Sequence, residues 1–322
     1  MISYINRKTG AALRAQGDLF VDCQTGETVA SIRGGIPRFV QESDDYAGSF
    51  GFQWNVWHSV LSESRSNYHH AKDLKARSGL WDSSFSAAGK TLLECGMGGG
   101  DDTEVLLSLP LAELHAFDIS LAVDRAAKFL HDDRLRIAQA SIFDIPYPVE
   151  SFDIVWCHRV VQHTPDPEAA IRSVCKMVKP GGFLFLHSYK RSKKYMSEFR
   201  YRYRWLTTRL PKPWIYSFLR WFGKPMHFVN RLSKRSSFFS ELTYKFIPFY
   251  QAPANGLLDN MSREEVIEWE RMVTFDALTP AYDNPMTTEQ FTSILKSEGF
   301  EIVWLHDPED NPLLARAIKV CS

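Results

Sequence analysis

Cysteine is scarce in this 322-residue sequence: Cys23, Cys95, Cys157, Cys175 and Cys321 make an odd five, with no pair at C-x-x-C spacing. A disulfide framework is excluded. Cys95 and Cys157 lie inside apolar runs, so buried, reduced thiols and a cytoplasmic setting are expected. No apolar run reaches the ~18 residues of a membrane-spanning helix, and the first thirty residues lack the apolar stretch of a secretory signal. Net charge is also lacking: 38 basic and 38 acidic side chains cancel, which argues against a chain that coats nucleic acid with its whole surface. There is no internal repeat and no low-complexity tract. What remains is an ordinary globular composition, 44% hydrophobic and 24% charged, long enough for one large domain or a core domain with additions.

Residues 1–45 alternate apolar and polar over 18–22, 28–32 and 37–40, broken by Gly17, Gly26, Gly34 and Gly35. This predicts a small β-rich module. From 46 to about 78, Phe50, Trp54, Trp57 and Leu61 recur at spacings of three or four, a helical period, and 46–89 is expected to form a helical cap. From residue 90 strands and helices alternate. Apolar strands are predicted over 91–95, 114–117, 136–139, 152–157 and 183–187, with helices near 102–109 and 169–178. That order implies an α/β domain with a parallel sheet over 90–188. The alternation then stops for nearly a hundred residues. Segment 189–286 reads as a helical insertion, and 287–322 returns with one helix and two strands.

The most informative stretch is Glu94-Cys95-Gly96-Met97-Gly98-Gly99-Gly100. Glycines at 96, 98 and 100 leave a strand and enter a helix, which lets the backbone turn tightly and approach a ligand. Asp118 closes the next strand, where a carboxylate can accept hydrogen bonds from both ribose hydroxyls of a nucleoside. The glycine spacing departs from the G-x-G-x-x-G form of dinucleotide sites. With Glu94 two residues before the first glycine, it suits a nucleoside cofactor without a pyrophosphate.

Four segments in order, 94–100 (ECGMGGG), 115–120 (HAFDIS), 152–167 (FDIVWCHRVVQHTPDP) and 179–182 (KPGG), resemble the class I S-adenosylmethionine-dependent methyltransferases. The resemblance spans roughly 90–188 and implies a Rossmann-like, seven-stranded sheet with helices on both faces. The 189–286 insertion then follows strand five as a lid. It also implies S-adenosyl-L-methionine as cofactor, held by Glu94, Gly96, Met97, Gly98, Gly100, Asp118, Ile119 and His158. The acid that often follows the third strand in that family is missing. Ser141, Ile142 and Phe143 stand there with Asp144 close by, and Ser141, backbone amides or Asp144 are the alternatives for the adenine amine. The runs 34–40 (GGIPRFV) and 46–55 (YAGSFGFQWN) resemble a bacterial subgroup with a short zinc-ribbon-like leader. By that resemblance Tyr46, Gln53 and Trp54 lie near the methionine end of the cofactor. The leader keeps only Cys23, so no metal is expected.

Methyl transfer requires a positioned nucleophile, and a hydroxyl nucleophile usually requires a general base. The end of the fourth strand offers His158, Gln162 and His163. His163 is the expected base or substrate contact, with His187 and Asp276 as weaker candidates. Between 189 and 246 fifteen Lys and Arg face only two acids, Glu198 and Glu241, and aromatics are interleaved, as in 198–205 (EFRYRYRW). Substrate contacts are expected from Tyr201, Tyr203, Trp205 and, through a resemblance of 274–291 to the tail of the same subgroup, Tyr282. The basic segment suits an anionic small or carrier-linked substrate, or peripheral contact with an anionic membrane. It equally suits a face packed into the core or a homo-oligomer interface. RNA is the least expected partner. The expected function is methyl transfer to oxygen or nitrogen of a sugar or secondary metabolite. The alternatives are an inactive cofactor-binding partner subunit and an enzyme using the same cofactor for a different transfer.

Overall fold

The computed structural model describes residues 2–40, 46–57, 70–252, 258–309 and 312–321. The leader is an antiparallel meander of β1 (Leu13–Gln16), β2 (Leu19–Asp22), β3 (Thr28–Arg33) and β4 (Ile36–Arg38). Among the described residues the helical stretch expected from residue 46 includes α1 (Gly48–Val56) and α2 (His70–Ser78); Leu61 lies outside them. The alternating core follows as β5 (Thr91–Cys95), α3 (Asp101–Leu106), β6 (Glu113–Asp118), α4 (Ala122–Phe129), β7 (Leu135–Gln139), β8 (Phe152–Cys157), α5 (Pro167–Cys175) and β9 (Val178–Ser188). Four helices come next: α6 (Phe199–Thr207), α7 (Lys212–Ser233), α8 (Ser237–Phe246) and α9 (Arg263–Leu278). The chain ends on α10 (Thr288–Ser297), β10 (Phe300–His306) and β11 (Leu313–Lys319).

Local chemistry sets several of these boundaries. Pro167 occupies the first turn of α5 and the Asp166 carboxylate caps it from the Ala169 amide. Thr287 with Gln290, and Ser262 with Glu265, form reciprocal capping boxes on α10 and α9. β8 and the second half of β9 are near-continuous apolar runs because both their faces are covered.

The strands form one sheet in the order β1-β2-β3-β4-β7-β6-β5-β8-β9-β11-β10. Strands β7, β6, β5, β8 and β9 run parallel, and β11 is antiparallel to β9 and β10. The sheet therefore has eleven strands, where the resemblance implied seven. The difference arises at one edge, where β4 lies parallel to β7 and the Phe39 amide donates to the Gln139 carbonyl at 2.8 Å. The buried Arg38 guanidinium locks the joint, reaching Gln139 Oε1 at 3.2 Å and the Asp124 carboxylate. An open strand edge invites pairing, and here the leader fills it.

Successive residues of β5 serve opposite faces of the sheet. Leu93 and Cys95 pack with Phe117, Val155 and Phe291, while Leu92 packs with Leu114, Ile154 and Trp156. Cys95, Cys157 and Cys175 are buried as expected, whereas Cys23 and Cys321 are exposed. A third apolar cluster, including Trp57, Leu219, Met272 and Phe275, fixes the α1 region against α7 and α9. No helix among the described residues is long and apolar enough to cross a membrane.

Candidate functional site

A cavity of about 340 Å³ opens where the carboxyl ends of β5, β6 and β8 meet α1 and α9. Openings at the carboxyl ends of parallel strands are where this architecture places ligands. Gly96 and Gly98 shape its floor. Both hold positive φ, +78° and +51°, and neither has room for a side chain. A Cβ on Gly96 would lie 2.3 Å from Val160 Cγ2, and one on Gly98 would lie 2.9 Å from Trp54 Nε1. The indole of Trp54 thus lies directly against the glycine turn. The Gly96 and Met97 amides donate to the Phe117 carbonyl, and the Gly98 amide donates to Asp118 Oδ2 at 2.9 Å. Asp118 Oδ1 accepts from the Ser120 amide and hydroxyl at 2.8 and 2.7 Å. Burial raises the Asp118 carboxyl above its usual range, against the pull of these three donors.

Beside this turn Glu94 is fully buried and accepts the Thr103 hydroxyl at 2.7 Å. Burial, reinforced by the charge of Asp102, pushes its carboxyl well above the ordinary range. Gln53, also buried and lining the cavity, has an Oε1 with no partner. These groups fit S-adenosylmethionine. Glu94 and Gln53 Oε1 are acceptors suited to an ammonium, and Asp118 keeps lone-pair capacity for ribose hydroxyls. Among the described residues no cluster of three His, Cys, Asp or Glu side chains could hold a metal ion.

Just past the glycine turn Asp102, in the first turn of α3, accepts three hydrogen bonds. They come from His158 Nδ1 at 2.7 Å, His70 Nε2 at 2.7 Å and Trp156 Nε1 at 2.8 Å. Burial alone would raise its carboxyl, but His158 and His70 outweigh burial and hold it well below the usual value. Burial lowers the His158 imidazole below its usual value, against the attraction of Asp102. Next to it Arg159 sits at φ +62°, a left-handed conformation that costs a non-glycine residue about 1–2 kcal/mol. His163 is buried in a short 3-10 turn, edge-on to Phe50 and Tyr189. Its Nδ1 donates to the Tyr282 carbonyl at 3.2 Å, which leaves the lone pair of the neutral ring on Nε2. The wall from the 189–286 segment contributes Tyr250, Trp269, Asp276 and Arg200. The Arg200 guanidinium is held by Glu198, by fully buried Asp283 at 3.0 Å and by the Tyr250 hydroxyl, among the rings of Tyr189, Tyr195 and Tyr250.

Of the positions read from sequence, Glu94, Gly96, Met97, Gly98, Asp118 and Ile119 line this cavity. So do Ile142, His158 and His163, Asp276, and the α1-side residues Tyr46, Gln53 and Trp54. The others lie elsewhere. Gly100 starts α3 at φ +90° against Leu130. The Ser141 hydroxyl accepts the Phe143 amide, and the Phe143 ring is exposed. His187 is buried behind His158, ring to ring at 5.1 Å. Tyr282 stands at the ring of Tyr46 and reaches the site through its carbonyl. Tyr201 bonds to Asp283, Tyr203 to the Phe246 carbonyl, and Trp205 is 68% exposed. The reason is geometric: residues two apart on a helix do not share a face, so α6 cannot turn all three aromatics inward. The α6 residue that lines the cavity is Arg200. Asp102, His70, Arg159, Arg200 and Tyr250 were not read from the sequence. Asp102 carried a local signal, a second acid just after the glycine turn, and Arg159 directly follows His158 in the 152–167 motif, whereas His70, Arg200 and Tyr250 come from segments that only folding brings together.

Residues 93–186 match a family model described as a methyltransferase domain, in line with the motifs over 90–188. The ubiquinone biosynthesis O-methyltransferase of Pseudomonas putida is 32% identical over 127 residues, covering 35% of this chain and 50% of that protein. Its counterpart from Neisseria meningitidis is 31% identical over 124 residues, with the same coverage. The chain thus spans about half the length of the curated relatives it matches. Among solved structures, magnesium protoporphyrin IX methyltransferase of Synechocystis superposes with a TM-score of 0.46 at 12% identity, over 85% of this chain and 97% of that one. An S-adenosylmethionine-dependent methyltransferase of Mesorhizobium loti gives 0.45 at 14% identity, over 72% and 92%.

Proposed function

We propose that the chain is an S-adenosylmethionine-dependent methyltransferase acting on an oxygen or nitrogen of a small or carrier-linked, negatively charged acceptor. The observation that carries this reading is the meeting of Gly98, Asp118 and Glu94 with His163 and Arg159 in one cavity. The curated relatives are O-methyltransferases, which supports oxygen.

The cofactor supplies an electrophilic methyl carbon on a sulfonium. Asp118 would hold the ribose hydroxyls, and Glu94 with Gln53 would hold the ammonium. Trp54 and Phe50 on α1 cover the glycine turn and the base, and so exclude water from the site. Arg159 supplies the cation that meets an anionic group on the acceptor. His163 accepts the acceptor's proton on Nε2, because its Nδ1–H is engaged by the Tyr282 carbonyl.

His163→Ala is expected to lower turnover of the true acceptor by about 10²–10⁴-fold while leaving cofactor affinity unchanged, measured by methyl transfer and by calorimetry. Unchanged turnover contradicts that role. One observation favours a second base, the 2.7 Å pair of His158 with Asp102. Loss of turnover in His158→Ala with His163→Ala silent moves the proton to that pair.

A further inference from the structure

Helix α7 is amphipathic with its polarity reversed. Below Ile215 and Leu219, the side turned toward the protein carries Gly223, His227, Asn230 and Ser233. These polar groups find partners there. His227 Nδ1 meets Glu270 at 2.7 Å, Asn230 Nδ2 donates to the Phe249 carbonyl at 3.0 Å, and the Ser233 hydroxyl meets that of Thr243 at 3.1 Å. The opposite side carries large apolar side chains along its whole length: Trp214, Phe218, Trp221, Phe222, Phe228 and Leu232. All are exposed, Trp221 to 81% and Trp214 to 67%. Helix α8 continues the pattern with Phe238, Phe239, Leu242 and Phe246. An apolar cleft of about 700 Å³, lined by Val229, Leu232, Phe239, Leu242, Phe246 and Ile247, joins the two stripes into one surface. Scattered apolar residues on a surface are ordinary, but a continuous stripe over two helices implies an apolar environment on its outer side.

Charge decides which environment. Residues 189–246 hold fifteen Lys and Arg against two acids, while the rest of the chain holds twenty-three against thirty-six. Exposed Arg231, Lys234 and Arg235 lie at the end of the α7 stripe. A second copy docking by the same face would set two such basic regions against each other, a like-charge arrangement that interfaces avoid. RNA would satisfy the cations but leave Val229, Leu232 and Leu242 in water. An anionic bilayer satisfies both sets. Aromatic and aliphatic side chains enter the boundary between headgroups and acyl chains, tryptophans sit at headgroup level, and the basic residues meet lipid phosphates.

We propose that the outer face of α7 and α8 is a membrane-docking surface for an anionic lipid bilayer. The proposal does not depend on the methyl-transfer reading. The docking surface and the Arg200 and Tyr250 part of the cavity wall belong to the same 189–286 segment.

The test is sedimentation of the full chain with vesicles of phosphatidylcholine alone and of phosphatidylcholine with phosphatidylglycerol, at low and high salt, alongside tryptophan fluorescence. Binding is expected on the anionic vesicles, with a blue-shifted emission, and it is expected to weaken with salt and to be small on phosphatidylcholine. The triple variant Trp221→Ser, Phe222→Ser, Phe238→Ser should keep its circular dichroism and melting point, because these side chains are exposed, and should lose partitioning by about tenfold or more. Arg231→Glu with Arg235→Glu should remove the preference for anionic lipid by a similar factor. Three results overturn the proposal. One is no binding to either vesicle by the folded protein. Another is a lipid-free dimer abolished by the triple variant, which assigns the face to a second copy. The third is binding to polyuridylate tighter than to vesicles and indifferent to the triple variant, which assigns it to RNA.

Discussion

Glu94 is the residue whose environment most contradicts its chemistry, a carboxyl buried beside other acids with one hydroxyl donor. Its folded-state pKa lies above the ordinary 4.5, so between the two values the folded chain holds a proton that the unfolded chain has released. Stability contributed by this group therefore falls as pH rises through that window. Glu94→Gln removes the fall. Thermal melts from about pH 5 to 8 should show the variant gaining on the wild type as pH rises. The same substitution takes away the acceptor for the cofactor's ammonium, and affinity for S-adenosylmethionine should drop by roughly ten- to a hundredfold, the usual worth of a hydrogen bond to a charged group. A variant that is no more stable at high pH and binds equally well would refute both halves. A group that costs stability and serves binding marks a functional site.

At the scale of elements, the joint between leader and core rests on β4. Arg38 is buried, donates to Gln139 and the Arg33 carbonyl at 3.2 Å each, and pairs with Asp124 at the start of α4. Arg38→Ala is expected to cost about 2 kcal/mol, read as a lower denaturation midpoint, because it removes a charge-assisted bond and leaves Gln139 Oε1 without its donor. An unchanged midpoint would mean that the backbone pairing of β4 with β7 holds the leader unaided. This joint also shows where sequence reading stops. The strands of the core were legible because period and composition are local, and the glycine turn with Asp118 was legible because a strand, a turn and a helix follow one another in the chain. That β4 would reach across and pair with β7 was not, since Arg38 and Gln139 lie a hundred residues apart and neither sits in a telling pattern. The same holds for His70, Arg200 and Tyr250, whose roles exist only once α2, α6 and the loop after α8 are packed at the cavity. On α6 the interleaving of arginine and tyrosine was visible in sequence. Which of them faces inward was not, because a period of two on a helix of 3.6 residues per turn sends neighbours to different sides.

For the whole molecule, Glu94, Asp101, Asp102 and Asp118 gather around the glycine turn, Arg159 and Arg200 line the same cavity, and the excess positive charge lies with an exposed aromatic face on the helices that follow the core. The acidic end of the cavity is expected to receive S-adenosylmethionine. Calorimetric titration of the purified protein with S-adenosylmethionine and S-adenosylhomocysteine, in parallel with Asp118→Ala, tests it most directly. Wild-type affinity is expected in the micromolar range, about −8 kcal/mol, with a loss of at least about tenfold in the variant. A folded wild-type protein that binds neither compound, or a variant that binds as tightly as the wild type, would contradict it.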